Sequence, residues 1–357
     1  MRFLYFFAWL YIAWRINTGL KIRKPYNKYV YLFFVSLAVF SIISFILLRA
    51  GISLPHTVSL FGDIIMGACA ITVTLFILND IVNAFNIMFK IKKFRYYSTL
   101  IALILSIFGC AWALANAAFI LKVKEVKIKV PELSVDSFKV ALLSDIHISK
   151  YTSAETIKKI FAITEALKPD LIVIAGDALD ADINKDDKFR NYGFELLKAP
   201  YGVFAVTGNH ERRRLGAYYE MCGKLGIKVL SNENVFIDGI INVAGINDSD
   251  WNAAGSIKAV LAQTVSGYPV LFLSHRPETF DIAADQDIHI IHLSGHTHAG
   301  QIPPIEIIRR LMKYNYGIYK KGESVMYVTS GVRWWGPPMR FFNFGEIAVI
   351  VLEKYNN

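Results

Sequence analysis

Two long stretches without a charged residue constrain the fold of this chain more than any other feature. Residues 29–48 and 96–121 run for 20 and 26 positions without Asp, Glu, Lys or Arg. As helices, both are long enough to cross a hydrocarbon core of roughly 30 Å. A third apolar stretch, around residues 64–78, continues past Asp80 into more apolar sequence, so its ends are less definite. The sequence therefore predicts an α-helical transmembrane region over residues 1–122.

The short loops indicate how this region crosses the membrane. Residues 3–14 are apolar and aromatic, and fit either a fourth span or a helix at the interface, so we expect three or four transmembrane helices. Lys and Arg cluster in residues 15–28 and 81–97, whereas 49–58 carries only Arg49. Because positively charged loops stay cytoplasmic, we expect a multi-pass cell-membrane protein whose last span ends on the extracytoplasmic face.

The positive charge of the chain also belongs to this region. Residues 1–130 hold 15 Lys and Arg against three acidic residues, an excess of 12, so the remainder carries −2 of the total of +10. Without a basic surface on the soluble part, or a helix-turn-helix, zinc-finger or RRM pattern, we expect no nucleic-acid partner. Of three cysteines, Cys69 and Cys110 lie in predicted spans, so no disulfide framework is expected.

Residues 131–357 read as a soluble α/β catalytic domain, and "KVKEVKIKV" just before it alternates like a half-buried strand. Thr152 and Glu155 predict a capping box ahead of a helix. Short apolar runs that end in polar residues predict strands, and their alternation with helical patterns favours sheets covered by helices. These runs are "FKVALLSD", "DLIVIAGD", "GVFAVTGN", "PVLFLSH", "IHLSGH", "SVMYVTSG" and "EIAVIVLE".

Side chains of the types that bind metals follow five of these strands. They are Asp145 and His147, Asp177 and Asp180, Asn209 and His210, His275, and finally His296 and His298. Strand ends in α/β sheets meet at one crevice, so we expect these side chains to converge. Oxygen and imidazole ligands without thiolate suit Mn²⁺, Fe or Zn²⁺, and they are too numerous for one ion.

The pattern D-x-H, G-D-x-x-D, G-N-H-E, S-H and G-H-x-H resembles the calcineurin-like metallophosphoesterase superfamily. The longer "GHTHAGQ" resembles its membrane-associated bacterial branch, and the resemblance covers about residues 137–357. It implies a two-sheet sandwich flanked by helices that holds two divalent metal ions, Mn, Fe or Zn. It also implies hydrolysis of a phosphoester or pyrophosphate bond through attack by a metal-activated hydroxide.

Carried over by position, the resemblance assigns a role to each site residue. Asp145, His147 and His298 would hold one metal, Asn209, His275 and His296 the other, and Asp177 would bridge both. His210 would stay off the metals and face the phosphate, with Asp180 orienting its imidazole. We interpret His292, inside its strand, as structural.

The substrate is less constrained. Ala299 and Arg276 depart from the family pattern, which puts specificity rather than catalysis in doubt, and Arg276 is either a phosphate-binding residue or a surface residue. Residues 331–342, "GVRWWGPPMRFF", correspond to a loop that lies beside the metal centre in the family. This aromatic loop fits contact with a membrane lipid or a lipid-linked phosphorylated substrate, and it equally fits a wall of the core.

Three other function classes stay open at this point. A phosphoprotein phosphatase would need an open peptide groove, which sequence does not reveal. A non-catalytic membrane protein that binds a phosphorylated ligand would be expected to have lost metal ligands, and all seven are present. A transporter would need charged groups inside its spans, where only Asp63 and Asp80 are candidates.

Overall fold

The structure is a computed structural model that describes residues 2–52, 54–149, 152–180 and 192–354. The chain divides into two units, which we call the helical unit and the α/β unit. The helical unit comprises Met1–Ile120, Gly300–Ile308 and Trp335–Phe344; the α/β unit comprises Leu121–Ala299, Arg309–Trp334 and Gly345–Asn357. Two segments from the second half of the sequence thus belong to the helical unit.

Four helices form the first third of the chain: α1 Arg2–Gly19, α2 Asn27–Arg49, α3 His56–Phe89 and α4 Phe94–Phe119. By length and composition, α2, α3 and α4 each contain a segment that is able to cross a membrane. The third predicted span is longer than its apolar centre indicated, because α3 continues on both sides of residues 64–78. The last span has the predicted length of 26 residues but lies two residues earlier, since α4 runs from Phe94 to Phe119 and a strand begins at Leu121.

The charged residue near the end of the α3 span has partners within the helical unit. Asp80 forms an ion pair with Arg15 of α1, and the hydroxyl of Tyr11 donates a hydrogen bond to Asp80 Oδ2 at 2.7 Å. Charged groups in an apolar bundle require such partners. Asp80 therefore joins α1 to α3, and its placement gives no support to a transport role.

The α/β unit contains two six-stranded sheets. The first consists of β1 Leu121–Val130, β2 Ser137–Leu143, β3 Leu171–Ala175, β4 Val203–Val206, β5 Ile227–Val229 and β12 Gly345–Lys354, in the order β1-β12-β2-β3-β4-β5. The second consists of β6 Glu233–Ile237, β7 Ile241–Gly245, β8 Val270–Leu273, β9 Ile290–Ser294, β10 Gly317–Lys321 and β11 Ser324–Val328, in the order β10-β11-β9-β8-β7-β6. The α-helices of this unit are α5 Ala154–Ala166, α6 Leu215–Lys224, α7 Ala254–Leu261 and α8 Phe280–Ala283, whereas α9 Ile305–Arg309 lies mostly in the helical unit.

The alternation of side chains along each strand produces the layers. In β2, Val140 and Leu142 belong to the core that both sheets share, whereas Ala141 and Leu143 pack with α5 and α6. Successive side chains of a strand point to opposite faces, so a strand that is apolar throughout is covered on both sides. Helix α7 packs against the outer face of the second sheet. The predicted α/β sandwich of two sheets flanked by helices is confirmed.

The strand directions position the candidate site. In the first sheet β2, β3 and β4 are parallel, and in the second β8 and β9 are parallel. Their carboxyl ends carry the polar residues singled out in the sequence. The lysine-rich segment before the domain is β1, which pairs in parallel with β12 and buries Val126, Ile128 and Val130.

Candidate metal centre

One group of predicted ligands gathers after β2 and β9. Nε2 of His298 lies 3.3 Å from Oδ1 of Asp145 and 3.1 Å from Nε2 of His147, and His147 Nε2 lies 3.9 Å from Asp145 Oδ1. Two imidazole nitrogens and a carboxylate oxygen thus face a common point. Nitrogen and oxygen ligands arranged in this way suit a divalent transition metal.

A second group gathers after β3, β8 and β9. Nε2 of His275 lies 3.2 Å from Asp177 Oδ2 and 3.2 Å from Nδ1 of His296. Asp177 Oδ2 is also 3.9 Å from Nε2 of His147 in the first group. Asp177 therefore stands between the two groups of nitrogen ligands.

The predicted catalytic pair lies beside these groups. Asp180 Oδ1 is 2.9 Å from Nδ1 of His210 and 2.8 Å from Nδ1 of His147. The opposite nitrogen of His210, Nε2, is 3.9 Å from Asp177 Oδ2. One carboxylate thus orients two imidazoles. Both His210 and Asp180 are partly accessible at their side chains.

Buried oxygens without hydrogen-bond donors give a test of whether this site fits a metal. Among the described residues, neither Oδ1 of Asp145 nor Oδ1 of Asn209 has a hydrogen-bond partner, and both atoms are buried. Asn209 precedes His210, whose backbone N–H donates to Asp177 Oδ1 at 2.9 Å. Leaving such oxygens unpaired costs about 1–3 kcal/mol each unless a cation satisfies them. The donor set therefore fits divalent metal ions.

The electrostatics of the site also favour a cation. Burial raises the pKa of Asp145 and Asp177, but the neighbouring imidazoles, chiefly His298 and His275, outweigh it and hold both pKa values below their ordinary range. Burial lowers the pKa of His275, but the Asp177 carboxylate outweighs it and raises that pKa to about 10. Buried carboxylates thus stabilise positive charge at the position where ligands converge.

The backbone is unusual at five of the predicted ligands. Asp145, His147, Asp177, His296 and His298 all have positive φ, between 48° and 72°. Each such conformation costs a non-glycine residue on the order of 1–3 kcal/mol, and such strain clusters at functional sites. The surrounding sheets hold these turns in place.

Two glycines allow the strand ends to approach one another. A Cβ at Gly208 would overlap the carboxylate of Asp177, and a Cβ at Gly295 would overlap Ser144 Oγ and the carboxylate of Asp145. The glycines of "GNHE" and "GHTH" are therefore required for close packing around the ligands.

One acidic residue that the sequence analysis passed over organises this backbone. Glu211, fully buried, accepts hydrogen bonds from the N–H groups of Asp177 at 3.1 Å, Leu179 at 2.9 Å and Gly208 at 2.7 Å. Burial and then the charge of Asp177 raise its pKa to about 7. A charged residue inside an otherwise ligand-bearing motif was the only sequence signal for this role.

Arg333 was likewise assigned no positioning role from the sequence. Its Nη1 lies 3.1 Å from the carbonyls of Ile146 and His147 and from Thr152 Oγ1, and its guanidinium stacks on Trp334 at 5.0 Å. Arg333 therefore holds the turn that carries His147. His292, by contrast, is buried in β9 between Phe272 and Phe280, and burial lowers its pKa to about 3.

Comparison with known proteins agrees with this geometry. Residues 138–300 match the family model described as calcineurin-like phosphoesterase. An uncharacterized metallophosphoesterase of Campylobacter jejuni is 31% identical over 271 residues, which cover 70% of this chain and 68% of the relative. An uncharacterized metallophosphoesterase of Helicobacter pylori is 28% identical over 368 residues, which cover 97% of this chain and 95% of the relative.

A further relative is named as a transmembrane protein. The zebrafish (Danio rerio) transmembrane protein with metallophosphoesterase domain is 32% identical over 282 residues, covering 72% of this chain. That match spans only 63% of the zebrafish protein. From the family model, the relatives and the ligand groups together, the chain belongs to the calcineurin-like metallophosphoesterases, a family of metal-dependent phosphoester hydrolases.

Proposed function

We propose that this protein is a membrane-anchored phosphoesterase that uses two divalent metal ions, Mn, Fe or Zn, to hydrolyse a phosphoester or pyrophosphate bond of a lipid-linked substrate. The observation that carries the proposal is the position of Asp177. Its carboxylate lies 3.2 Å from His275 and 3.9 Å from His147, members of two separate nitrogen groups. A carboxylate in that position suits a bridge between two ions.

Each predicted ligand has a place in this proposal. Asp145, His147 and His298 would hold one ion, Asn209, His275 and His296 the other, and Asp177 both. When bound, two such ions activate water and neutralise charge on the phosphoryl oxygens. The protein's own contribution is to fix these ligands on strand ends, where the sheets allow little movement.

His210 would act on the leaving group. Hydrolysis forms one bond between a water oxygen and phosphorus, breaks the bond to the leaving oxygen, and delivers a proton to that oxygen. Asp180 holds His210 Nδ1 at 2.9 Å, which leaves Nε2 to face the substrate. Burial lowers the pKa of His210, but its contacts with Asp180 and Asp177 outweigh this and raise that pKa, which favours the protonated imidazole that a proton donor needs.

The segment Trp335–Phe344 supports a lipid-linked substrate. It belongs to the helical unit, where Asn116 of α4 donates to the carbonyls of Arg340 at 2.9 Å and Asn343 at 3.0 Å. Trp335 and Phe342 nonetheless remain 55% and 52% exposed. Exposed aromatic side chains fixed to membrane-spanning helices are typical of the membrane interface.

The charges of the loops between the helices support an extracytoplasmic catalytic domain. Lys21, Arg23 and Lys24 lie between α1 and α2, and three lysines occupy residues 90–93 between α3 and α4. If both loops are cytoplasmic, a multi-pass arrangement places the catalytic domain on the extracytoplasmic face.

The test is hydrolysis by the full chain, purified in detergent, with added Mn²⁺ or with a chelator. Substrates would be a chromogenic phosphodiester, phospholipids, lipid-linked pyrophosphates and a phosphopeptide, and metal content would be measured by elemental analysis. We expect Mn²⁺-dependent hydrolysis of a lipid-linked compound and about two ions per chain. Preference for the phosphopeptide would instead identify a phosphoprotein phosphatase. Metal-loaded protein without any hydrolysis would indicate a non-catalytic binding protein.

A further inference from the structure

Two arginines share one buried carboxylate next to the predicted metal ligands. The side chain of Asp248, in the turn after β7, is fully buried. Its Oδ2 accepts from Nε of Arg212 at 2.5 Å, and its Oδ1 accepts from Nε of Arg276 at 2.7 Å. Arg212 Nη2 also donates to the Asp248 carbonyl at 2.6 Å. One carboxylate thus orients two guanidinium groups, and the three side chains keep one net positive charge.

Both arginines border the predicted metal centre. Arg276 directly follows His275, and its Nη1 lies 3.0 Å from Nε2 of His296. Arg212 follows His210 by two residues, in the same turn. The face of Trp251 lies 5.1 Å from the Arg276 guanidinium and supports its plane. The orientation of Arg276 is therefore fixed by a carboxylate, a ring and a predicted ligand.

Each guanidinium retains donors for a ligand. Within the part of the chain that the structure describes, Nη2 of Arg276 and Nη1 of Arg212 make no hydrogen bond to protein. The two side chains are 18% and 39% exposed, so a ligand has access to them. Arginine only donates hydrogen bonds, and its planar fork matches the oxygens of a phosphate.

We propose that Arg276 and Arg212, held by Asp248, form a subsite for a second phosphate group next to the phosphate that reacts. The preferred substrate class is then a diphosphate: the reacting phosphate lies at the metal centre and its neighbour contacts the two arginines. This inference rests on the proposed function only for the position of the reacting phosphate. A monoester or simple diester would leave the subsite empty.

The test is equilibrium binding of two probes to the metal-loaded full chain in detergent, by calorimetry. Methylenediphosphonate stands in for a diphosphate without being cleaved, and inorganic phosphate stands in for a single phosphate. We expect Arg276→Gln to weaken binding of methylenediphosphonate by about tenfold or more, as loss of a charged phosphate contact does. Binding of inorganic phosphate should change less than about threefold, since one phosphate reaches only the metal centre.

Two further variants keep this result interpretable. Among the described residues, Arg212 forms its side-chain hydrogen bonds with Asp248 and with no predicted metal ligand, so Arg212→Gln tests the subsite even if Arg276→Gln lowers the metal content. Arg213, exposed and adjacent to Arg212, provides the matched control Arg213→Gln, which should bind both probes as the unmodified protein does. Equal weakening of both probes in Arg212→Gln would mean that the arginines only support the fold. Unchanged binding of both probes would also refute the subsite.

Turnover measurements show whether the natural diphosphate is a nucleotide or a lipid, which is a separate question from whether the subsite exists. We would assay the unmodified protein and the Arg276→Gln variant with two substrates. One is a soluble nucleotide diphosphate diester, and the other is a lipid diphosphate diester in micelles. We expect KM for both to rise with little change in kcat, and the faster substrate identifies the source. Arginine-dependent binding without hydrolysis would refute the proposed function and keep the subsite. Metal-dependent hydrolysis whose KM is unchanged in Arg276→Gln and in Arg212→Gln would refute the subsite and keep the proposed function.

Discussion

Asp177 is the residue on which the candidate centre most depends. It is buried, it has a positive φ of 51°, and its carboxylate is near nitrogen atoms of His147, His210 and His275. Its own backbone N–H is held by Glu211. A strained backbone held by Glu211 and a carboxylate beside three imidazoles are thus combined in one residue, so a small change there affects both groups of predicted ligands.

We expect Asp177→Asn to lose metal and activity together. An amide keeps the size of the side chain but removes the charge that two cations would share, and even the loss of an outer partner of a metal ligand costs about 10–100-fold in affinity or activity. Elemental analysis and hydrolysis of a chromogenic phosphodiester would be measured on the same samples. Asp285→Asn, at an exposed aspartate on the surface, is the control. A fully metallated, active Asp177→Asn protein would contradict the bridging role.

His210→Ala should separate catalysis from metal binding. If His210 donates a proton and does not ligate, kcat should fall by about 10²–10⁴-fold while metal content stays unchanged. Loss of metal to the same extent as activity would show that His210 is itself a ligand, as its distance of 3.9 Å between Nε2 and Asp177 Oδ2 also allows.

Gly295→Ala should disturb the candidate metal centre although it changes none of the predicted ligands. The added methyl group would overlap Ser144 and Asp145, and forcing a methyl group into a packed site costs about 1–3 kcal/mol. We expect a lower Tm and a lower metal content. Gly255→Ala is the matched control, because nothing lies within 4 Å of its added Cβ in α7 and alanine favours a helix. A Gly295→Ala protein with unchanged Tm and metal content would refute the close packing.

At the scale of elements, hydrophobic patterns predicted the strands more reliably than a capping motif predicted the start of a helix. All eight predicted strands, including the lysine-rich β1, are present, because apolar runs and alternation are local properties. The predicted capping box is wrong: α5 begins at Ala154 with Ser153 at its N-cap, and Thr152 Oγ1 instead accepts from the N–H of Ser149 at 2.9 Å. Strands β5, β6, β7 and β10 were not predicted individually, because polar residues such as Lys228, Asn234 and Asn242 interrupt their short apolar runs.

Helix α4 provides a test of the attachment of Trp335–Phe344 to the helical unit. Asn116→Leu would leave the carbonyls of Arg340 and Asn343 without their donor, at a cost on the order of 1–3 kcal/mol for each buried group. Hydrogen–deuterium exchange should therefore increase in residues 335–344. Ser106→Ala is the control, because its hydroxyl donates to the carbonyl of Ala102 within its own helix. Unchanged exchange in Asn116→Leu would show that other contacts hold the segment.

At the scale of the whole molecule, the prediction to test is the membrane face of the catalytic domain. A cysteine placed at the exposed Glu165 in α5 should react with a membrane-impermeant reagent in intact cells, whereas one at Lys92, between α3 and α4, should react only after lysis. The three native cysteines give low background, since Cys69 and Cys222 are buried and Cys110 is partly buried. The reverse labelling pattern would place the catalytic domain in the cytoplasm.

The sequence by itself determined the apolar helices, the α/β class and the chemical types of the ligands. These depend on hydrophobic periodicity and on residues at the ends of segments, which are local in the chain. The tertiary structure decided how predicted ligands spread over about 150 residues, from Asp145 to His298, converge on Asp177. They do so through parallel strands whose ends share one edge. It also revealed the partners of Glu211, Asp248 and Arg333, because a hydrogen bond between residues distant in sequence leaves no periodic mark in either segment.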